Sequence, residues 1–297
     1  MSMAVALRQA SMRHRSRYRR RRLLTKLGGV VLGVGLLIWT LIPVYNMVLT
    51  ALDPDGEEFT GSIWPTDPDF SSFRSIWVGD YWRVNHFWLQ FGNSLYMGAA
   101  TMALTVLVGS LAAFSLGRMR LRKGWILSDV ALVTYVLPSA FLAIPFVHIM
   151  HLYGLSDSLW GVIAAQVAFA TPYAILILHQ YSKLIPLELD EAAKVDGATP
   201  RQMFLYIYWP LMTPALVAVG VYAFLLAWNE YIYQYMLLSS PEHMTIAAAL
   251  DQFFVTDESP WNYMMAIAIM YSVPPIAIYF ALRRYMVAGL TLGGIKG

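Results

Sequence analysis

Cysteine is absent from this 297-residue chain. That excludes a disulfide framework and any thiolate metal site. Charge is scarce as well. Asp, Glu, Lys and Arg together make up 13% of the residues, against about 25% in an ordinary soluble domain. A phosphate-cradling G-x-x-x-x-G-K-[ST] loop is missing, so the chain has no element to hold ATP by itself. No nucleophile–base constellation is visible, and enzyme activity is not expected. His148 and His151 stand at i and i+3 but have no third ligand nearby, so a metal site is not expected either.

What is present is apolar. Hydrophobic residues make up 58% of the chain and the mean hydropathy is +0.53. A bilayer core needs about 20 apolar residues per helix. Six segments meet that length: Leu27–Leu52, Ser94–Leu116, Trp125–His151, Leu159–Leu178, Leu211–Leu238 and Trp261–Leu282. The reading is all-α, a polytopic membrane protein with six transmembrane helices. The first apolar run is too long for a signal h-region and lacks a small-x-small cleavage pattern, so it reads as a retained anchor.

Basic residues set the orientation. Every Lys and Arg except Arg74 and Arg83 falls in the N-terminal arm, the loop after span two, the loop after span four, or the tail. The positive-inside rule places those four segments, and both termini, in the cytoplasm. The Arg-rich arm, residues 1–26, then serves as a topology signal and a contact for anionic lipid. Nucleic acid is not an expected partner. Residues 53–92 form an external segment, acidic at first and then aromatic. An interfacial amphipathic helix is expected there, leading to an N-cap for span two at Asn93 or Ser94. Ile246 to Phe254, in the second large external loop, reads as a short helix lying on the membrane or reaching toward a soluble partner. Pro138, Pro145 and Pro172 are expected to kink spans three and four.

Between spans four and five lies a polar stretch of about 30 residues, 182–210, far longer than the usual connection of about 4–6. Pro186 suits a first helical position. Leu189, Ala192, Ala193 and Asp196 fall on one helical face. Gly197 ends that helix, and Thr199 with Gln202 forms a capping box around Pro200. The second short helix runs through Ile207 to about Trp209, with Pro210 following.

These residues carry a resemblance. Glu191-Ala192-Ala193, with Gly197 six residues after the Glu and then Ile207 and Pro210, resembles the EAA loop of ABC importer permeases. Phe224 to Tyr231 is similar to the span-five motif of carbohydrate permeases, and Gly289 to Gly297 to their glycine-rich end. The nearest pattern is the MalG-type subunit of maltose-type importers. The resemblance covers nearly the whole chain after the arm. It implies a type I ABC importer permease fold, with a core over residues 93–282 and a tail over 283–297.

It further implies a bacterial inner-membrane permease that moves a sugar, oligosaccharide or polyol by alternating access. The implied partners are a second homologous permease, two copies of an ATPase subunit, and a periplasmic or lipid-anchored solute-binding protein. ATP and magnesium would reside on the ATPases, with no cofactor in this chain. Glu191, Ala192, Ala193, Asp196, Gly197, Ala198, Thr199, Ile207 and Pro210 would couple to the ATPase. Gly293, Gly294, Lys296 and Gly297 would reach toward the same subunit.

Trp228, Asn229, Glu230, Tyr231 and Gln234 sit near the far end of span five. Two readings of them stay open: a wall of the translocation path, or an interface between permeases. Two alternatives to a carbohydrate importer also stay open: a permease for another solute, such as glycerol phosphate or an amino acid, and an ion-driven secondary transporter.

Overall fold

The structure is a computed structural model that describes residues 2–54, 63–65, 67–119, 124–254 and 260–292. It divides into two units, residues 1–72 with 261–266, and residues 73–260 with 267–297. In the first unit, α1 (Ser2–Ala51) carries the apolar run Thr25–Ala51. Its end is tied to the following segment where the Asp69 N–H donates to the Leu52 carbonyl at 2.9 Å and the Ser72 hydroxyl to that of Ala51. Asp69 also accepts from the Ser71 N–H at 2.9 Å, which starts α2 (Ser71–Val78). Bonds from the Ser71 hydroxyl and then from its N–H hold the Asp69 carboxyl below its ordinary pKa.

In the second unit, α3 (Phe87–Arg118) leads to α4 (Gly124–Val136), α5 (Ala143–Leu152) and α6 (Leu159–Ser182). The polar hairpin follows as α7 (Glu188–Val195) and α8 (Pro200–Gln202). Then come α9 (Trp209–Trp228), α10 (Ile232–Leu237), α11 (Ile246–Ala249) and α12 (Trp261–Leu292), which crosses from the first unit into the second. Among the described residues, five helices are long and apolar enough to span a membrane. The bent pair 129–136 and 139–152 supplies a sixth if counted as one span.

The core is a three-helix bundle of α3, α6 and α9. α3 and α6 run parallel in a fixed register. Tyr96 meets Trp160, Gly109 meets Ala174, and Gly117 meets Ser182. A Cβ on Gly109 would stand 2.7 Å from that of Ala174, so the backbones approach as closely as only a glycine permits. Gly98 plays the same part against the Phe224 ring of α9, at 2.7 Å. Lipid is as apolar as leucine, so close van der Waals packing of this kind is what holds such helices together.

Four expectations need correction. Trp125–His151 is not one continuous helix: its two parts meet at 90°. Pro138 is extended and has no N–H to continue the ladder, and a 3₁₀ turn, Ser139–Leu142, restarts the chain toward α5. Leu211–Leu238 is not continuous either. The helix stops at Trp228, and α10 begins afresh after Tyr231. Span two needs no cap at Asn93 or Ser94, because α3 starts at Phe87. Instead the Asn93 amide donates to the carbonyls of Glu242 and Met244, and Ser94 Oγ accepts from the Ile246 N–H at 3.0 Å. Those bonds pull 246–254 into the protein, where Ile246, Ala248, Ala249 and Phe253 are buried, so it does not lie on the membrane.

A clamp closes this end of the bundle. Asp157, at φ 53°, takes the Ser239 and Ser240 N–H groups on Oδ1 at 2.8 and 2.9 Å. Its Oδ2 accepts from the Ser240 hydroxyl and pairs with His243 at 3.2 Å. Partial burial works against the charged carboxyl. The bonds from Ser240, Ser239 and His243 outweigh it and hold the pKa well below the ordinary carboxylate value. A depressed carboxylate stabilises the fold fully above its unfolded pKa and loses that contribution only as the pH falls through the folded value. The clamp is therefore expected to persist at pH 5. A melting difference between wild type and Asp157→Ala that shrinks between pH 7 and pH 5 would contradict this. Gly109→Val is expected to destabilise the bundle by about 1–3 kcal/mol, as overpacking does, read as a lower melting temperature in detergent. A Gly28→Val control in α1, where a Cβ meets nothing, should leave it unchanged.

Candidate functional site

The polar hairpin has the shape its caps dictate. Gly197 takes φ +77°. The Ala198 N–H donates to the Ala193 carbonyl at 2.9 Å and the Gly197 N–H to that of Lys194 at 3.1 Å, the bond pair of a Schellman end. Two residues after Gly197, the Thr199 N–H donates to Gln202 Oε1 at 2.8 Å and the Gln202 N–H returns to Thr199 Oγ1 at 3.4 Å. This is the capping box expected from the sequence. The second helix does not end near Trp209. It continues through a π-helical segment, Met203–Tyr208, directly into α9. Pro210 follows at once, and a residue without an N–H cannot complete an ordinary i→i−4 ladder there. The hairpin is therefore one rigid piece with the span that follows it.

The inward face differs from the expected one. Asp190 and Ala193 are buried, while Leu189, Glu191, Ala192 and Asp196 are exposed. Asp190 was not singled out from the sequence. The signal was its position three residues before Ala193, on the same face. Its partner is Arg118 at the end of α3. One guanidinium N–H donates to Asp190 Oδ2 at 2.8 Å, and two more reach the Ser182 and Ile185 carbonyls at 2.9 Å. The pair is 3% and 12% exposed, so water contributes little to it. Around it Phe114 meets Phe204 and Tyr208 edge-on at 5.3 and 5.2 Å. Ile185, Ala193 and Met203 share that apolar cluster, with Ile207 and Ala198 packed beside it. The hairpin's outer surface holds Glu188, Glu191, Ala192, Val195 at 88% exposure and Tyr206 at 76%.

At the other end of α9 the five residues of interest separate. Trp228 is buried, stacked between Phe224 at 5.3 Å and Tyr271 at 4.5 Å. Gln234 is buried too, donating to the Glu230 and Ala227 carbonyls and accepting from the Thr245 hydroxyl. Glu230 caps α10: its carboxylate accepts from the Tyr233 N–H at 2.8 Å and the Gln234 N–H at 3.2 Å. Asn229 and Tyr231 are exposed, the latter donating its hydroxyl to Asp251 Oδ1 at 2.9 Å. Gly293, Gly294, Lys296 and Gly297 lie outside the described residues.

A bundle of apolar spans with one rigid polar hairpin is the build of a multi-pass membrane transport subunit. The family model described as binding-protein-dependent transport system inner membrane component matches residues 94–291, and the chain belongs to that family. A trehalose transport system permease protein of Mycobacterium tuberculosis, SugB, is 32% identical over 261 residues, covering 87% of this chain and 93% of the relative. The diacetylchitobiose uptake system permease protein DasC of Streptomyces coelicolor is 29% identical over 271 residues, 90% of this chain and 96% of that one. A bacterial ABC transporter that imports the acidic polysaccharide alginate superposes with a TM-score of 0.74 at 22% identity, over 88% of this chain and 96% of its own. The fold is that of a type I ABC importer permease.

Removing one member of a buried ion pair strands the other charge, at a cost of about 3–5 kcal/mol. Arg118→Met is therefore expected to lower the melting temperature far more than the exposed Arg283→Met. Equal effects would show that the buried pair contributes nothing.

Proposed function

We propose that this chain is a permease subunit of an ATP-driven importer that carries a carbohydrate across the bacterial inner membrane. The observation that carries the reading is the hairpin. It is capped at both ends of its turn, buried on one face and exposed on the other, and continuous with a membrane span. Such a part transmits force. A push on Glu191, Ala192, Val195 or Tyr206 cannot be absorbed by a flexible joint, because the Schellman end and the capping box fix the turn and the π segment runs on into α9. The distribution of Lys and Arg supports a cytoplasmic hairpin and cytoplasmic termini.

The partners that complete the machine are a second permease, two ATPase subunits and a solute-binding protein. ATP-driven closure of the ATPases would move the two hairpins, one per permease, and switch which side of the membrane the path opens to. The trehalose and diacetylchitobiose permeases among the relatives support a carbohydrate as cargo, with no enzymatic step in this chain.

The test is uptake by the complete complex in proteoliposomes, supplied with its solute-binding protein and internal ATP. Radiolabelled trehalose and diacetylchitobiose are expected to enter only with ATP. Entry driven by an ion gradient without ATP would mark a secondary transporter, and ATP-dependent entry of an amino acid or glycerol phosphate alone would redirect the cargo class. Glu191→Lys and Gly197→Pro are expected to leave the complex assembled while uptake falls to background. Unchanged uptake in both would remove the coupling role from the hairpin.

A further inference from the structure

Tyr135 of α4, Tyr173 of α6 and Tyr222 of α9 come from three different helices and meet. The Tyr135 and Tyr173 rings lie 5.8 Å apart at 32°, and those of Tyr173 and Tyr222 only 4.0 Å apart at 36°. Tyr173 and Tyr222 each sit more than a turn inside an apolar span, and Tyr135 lies just before the break at Pro138. None of the three is enclosed by this chain: Tyr135 is 45% exposed and the other two are half-buried.

Half-open phenol groups at that depth are costly against hydrocarbon, where a hydroxyl finds no partner. The break beside them adds to the cost. Leu137 and Phe141 are exposed on either side of Pro138, where the α-helix is interrupted, and irregular backbone at membrane depth is tolerated only against protein or a water-filled cavity. The open side of α9 points the same way. Its incompletely buried positions Pro214, Ala218, Tyr222, Leu225 and Asn229 recur every three or four residues as one helical stripe, with the incompletely buried Leu226 one turn beyond Tyr222 beside it, and the stripe ends at the exposed amide of Asn229.

We propose that Tyr135, Tyr173 and Tyr222 form a carbohydrate-contacting subsite on a water-filled path near the middle of the membrane. The proposal rests on the importer reading above and gives its cargo a place on this chain. The chemistry suits a sugar. Aromatic faces stack on the apolar C–H faces of a pyranose ring, phenol hydroxyls exchange hydrogen bonds with sugar hydroxyls, and no fixed charge is present to hold the cargo too tightly. Phe224 and Trp228, two other aromatic rings of the same helix, are buried and cannot do this.

The absence of cysteine makes the test direct, because any thiol label on this chain reports an introduced residue. Tyr135→Cys, and Leu226→Cys as a second site should the first fail to assemble, would be treated in the reconstituted complex with a membrane-impermeant methanethiosulfonate. Leu37→Cys in α1 is the apolar reference. Labelling at 135 or 226 is expected on the order of tenfold faster than at 37, since only a hydrated thiol ionises and reacts. Labelling no faster than at 37 would overturn the proposal, and labelling that is fast in the isolated chain but lost in the complex would mark a permease–permease contact instead. In the same vesicles Tyr135→Ala and Tyr222→Ala are expected to lower trehalose or diacetylchitobiose uptake roughly three- to tenfold. Assembly and ATPase stimulation should be retained, and Tyr135→Phe should recover much of the loss. Fast labelling with unchanged uptake would leave a hydrated surface but no sugar contact, which also overturns the subsite. If wild type takes up neither sugar, the importer's cargo reading fails separately, and labelling still decides whether the cluster borders water.

Discussion

Backbone N–H and C=O groups at membrane depth must find partners inside the protein, and each interruption of a helix here is built around that requirement. Where Pro138 ends α4, the Tyr233 hydroxyl from α10 donates to the freed Ser139 carbonyl at 2.7 Å. Where α9 ends at Trp228, the Tyr271 hydroxyl donates to the Trp228 carbonyl and the Asn229 amide to that of Leu225 at 2.8 Å. Glu230 then supplies acceptors for the first N–H groups of α10. A charged residue in an apolar sequence thus has a backbone role, and the side chains that make these repairs also fix where the broken helices point.

The two ends of the bundle are held by different physics. At the hairpin end a guanidinium fan joins α3, the end of α6 and α7 through three charge-assisted bonds in a nearly dry site. Arg suits this because its planar fork reaches a carboxylate and two carbonyls at once. At the opposite end Asp157 gathers two backbone N–H groups, a hydroxyl and a histidine from one loop. Between them the bundle has little polar bonding to rely on, and glycine at Gly98 and Gly109 lets the helices approach until dispersion contacts suffice. A stiff hairpin at one end and a stiff bundle between suit a part that moves as a body.

Much of this was legible in the residues. Long apolar runs with few charges dictate spanning helices because lipid tolerates nothing else, and the caps at Gly197, Thr199 and Gln202 depend on local chemistry that a short stretch contains in full. The hairpin's fusion with α9 was not legible, because Pro210 normally signals an end and only the π segment carries the helix past it. Asp190 was overlooked for the same kind of reason: its partner is 72 residues away. In the Trp228–Gln234 stretch the residue types suggested a shared site, whereas packing buried Trp228 and Gln234 and left Asn229 and Tyr231 open.

The sequence by itself determined the all-α class, the number of apolar segments and the capped hairpin, since these follow from composition and from interactions within about one helical turn. Tertiary structure alone decided the parallel register of α3 and α6, the Arg118–Asp190 pair and the meeting of Tyr135, Tyr173 and Tyr222. Each of those depends on which distant backbone comes close enough to supply a partner or a ring, and no local pattern encodes that distance.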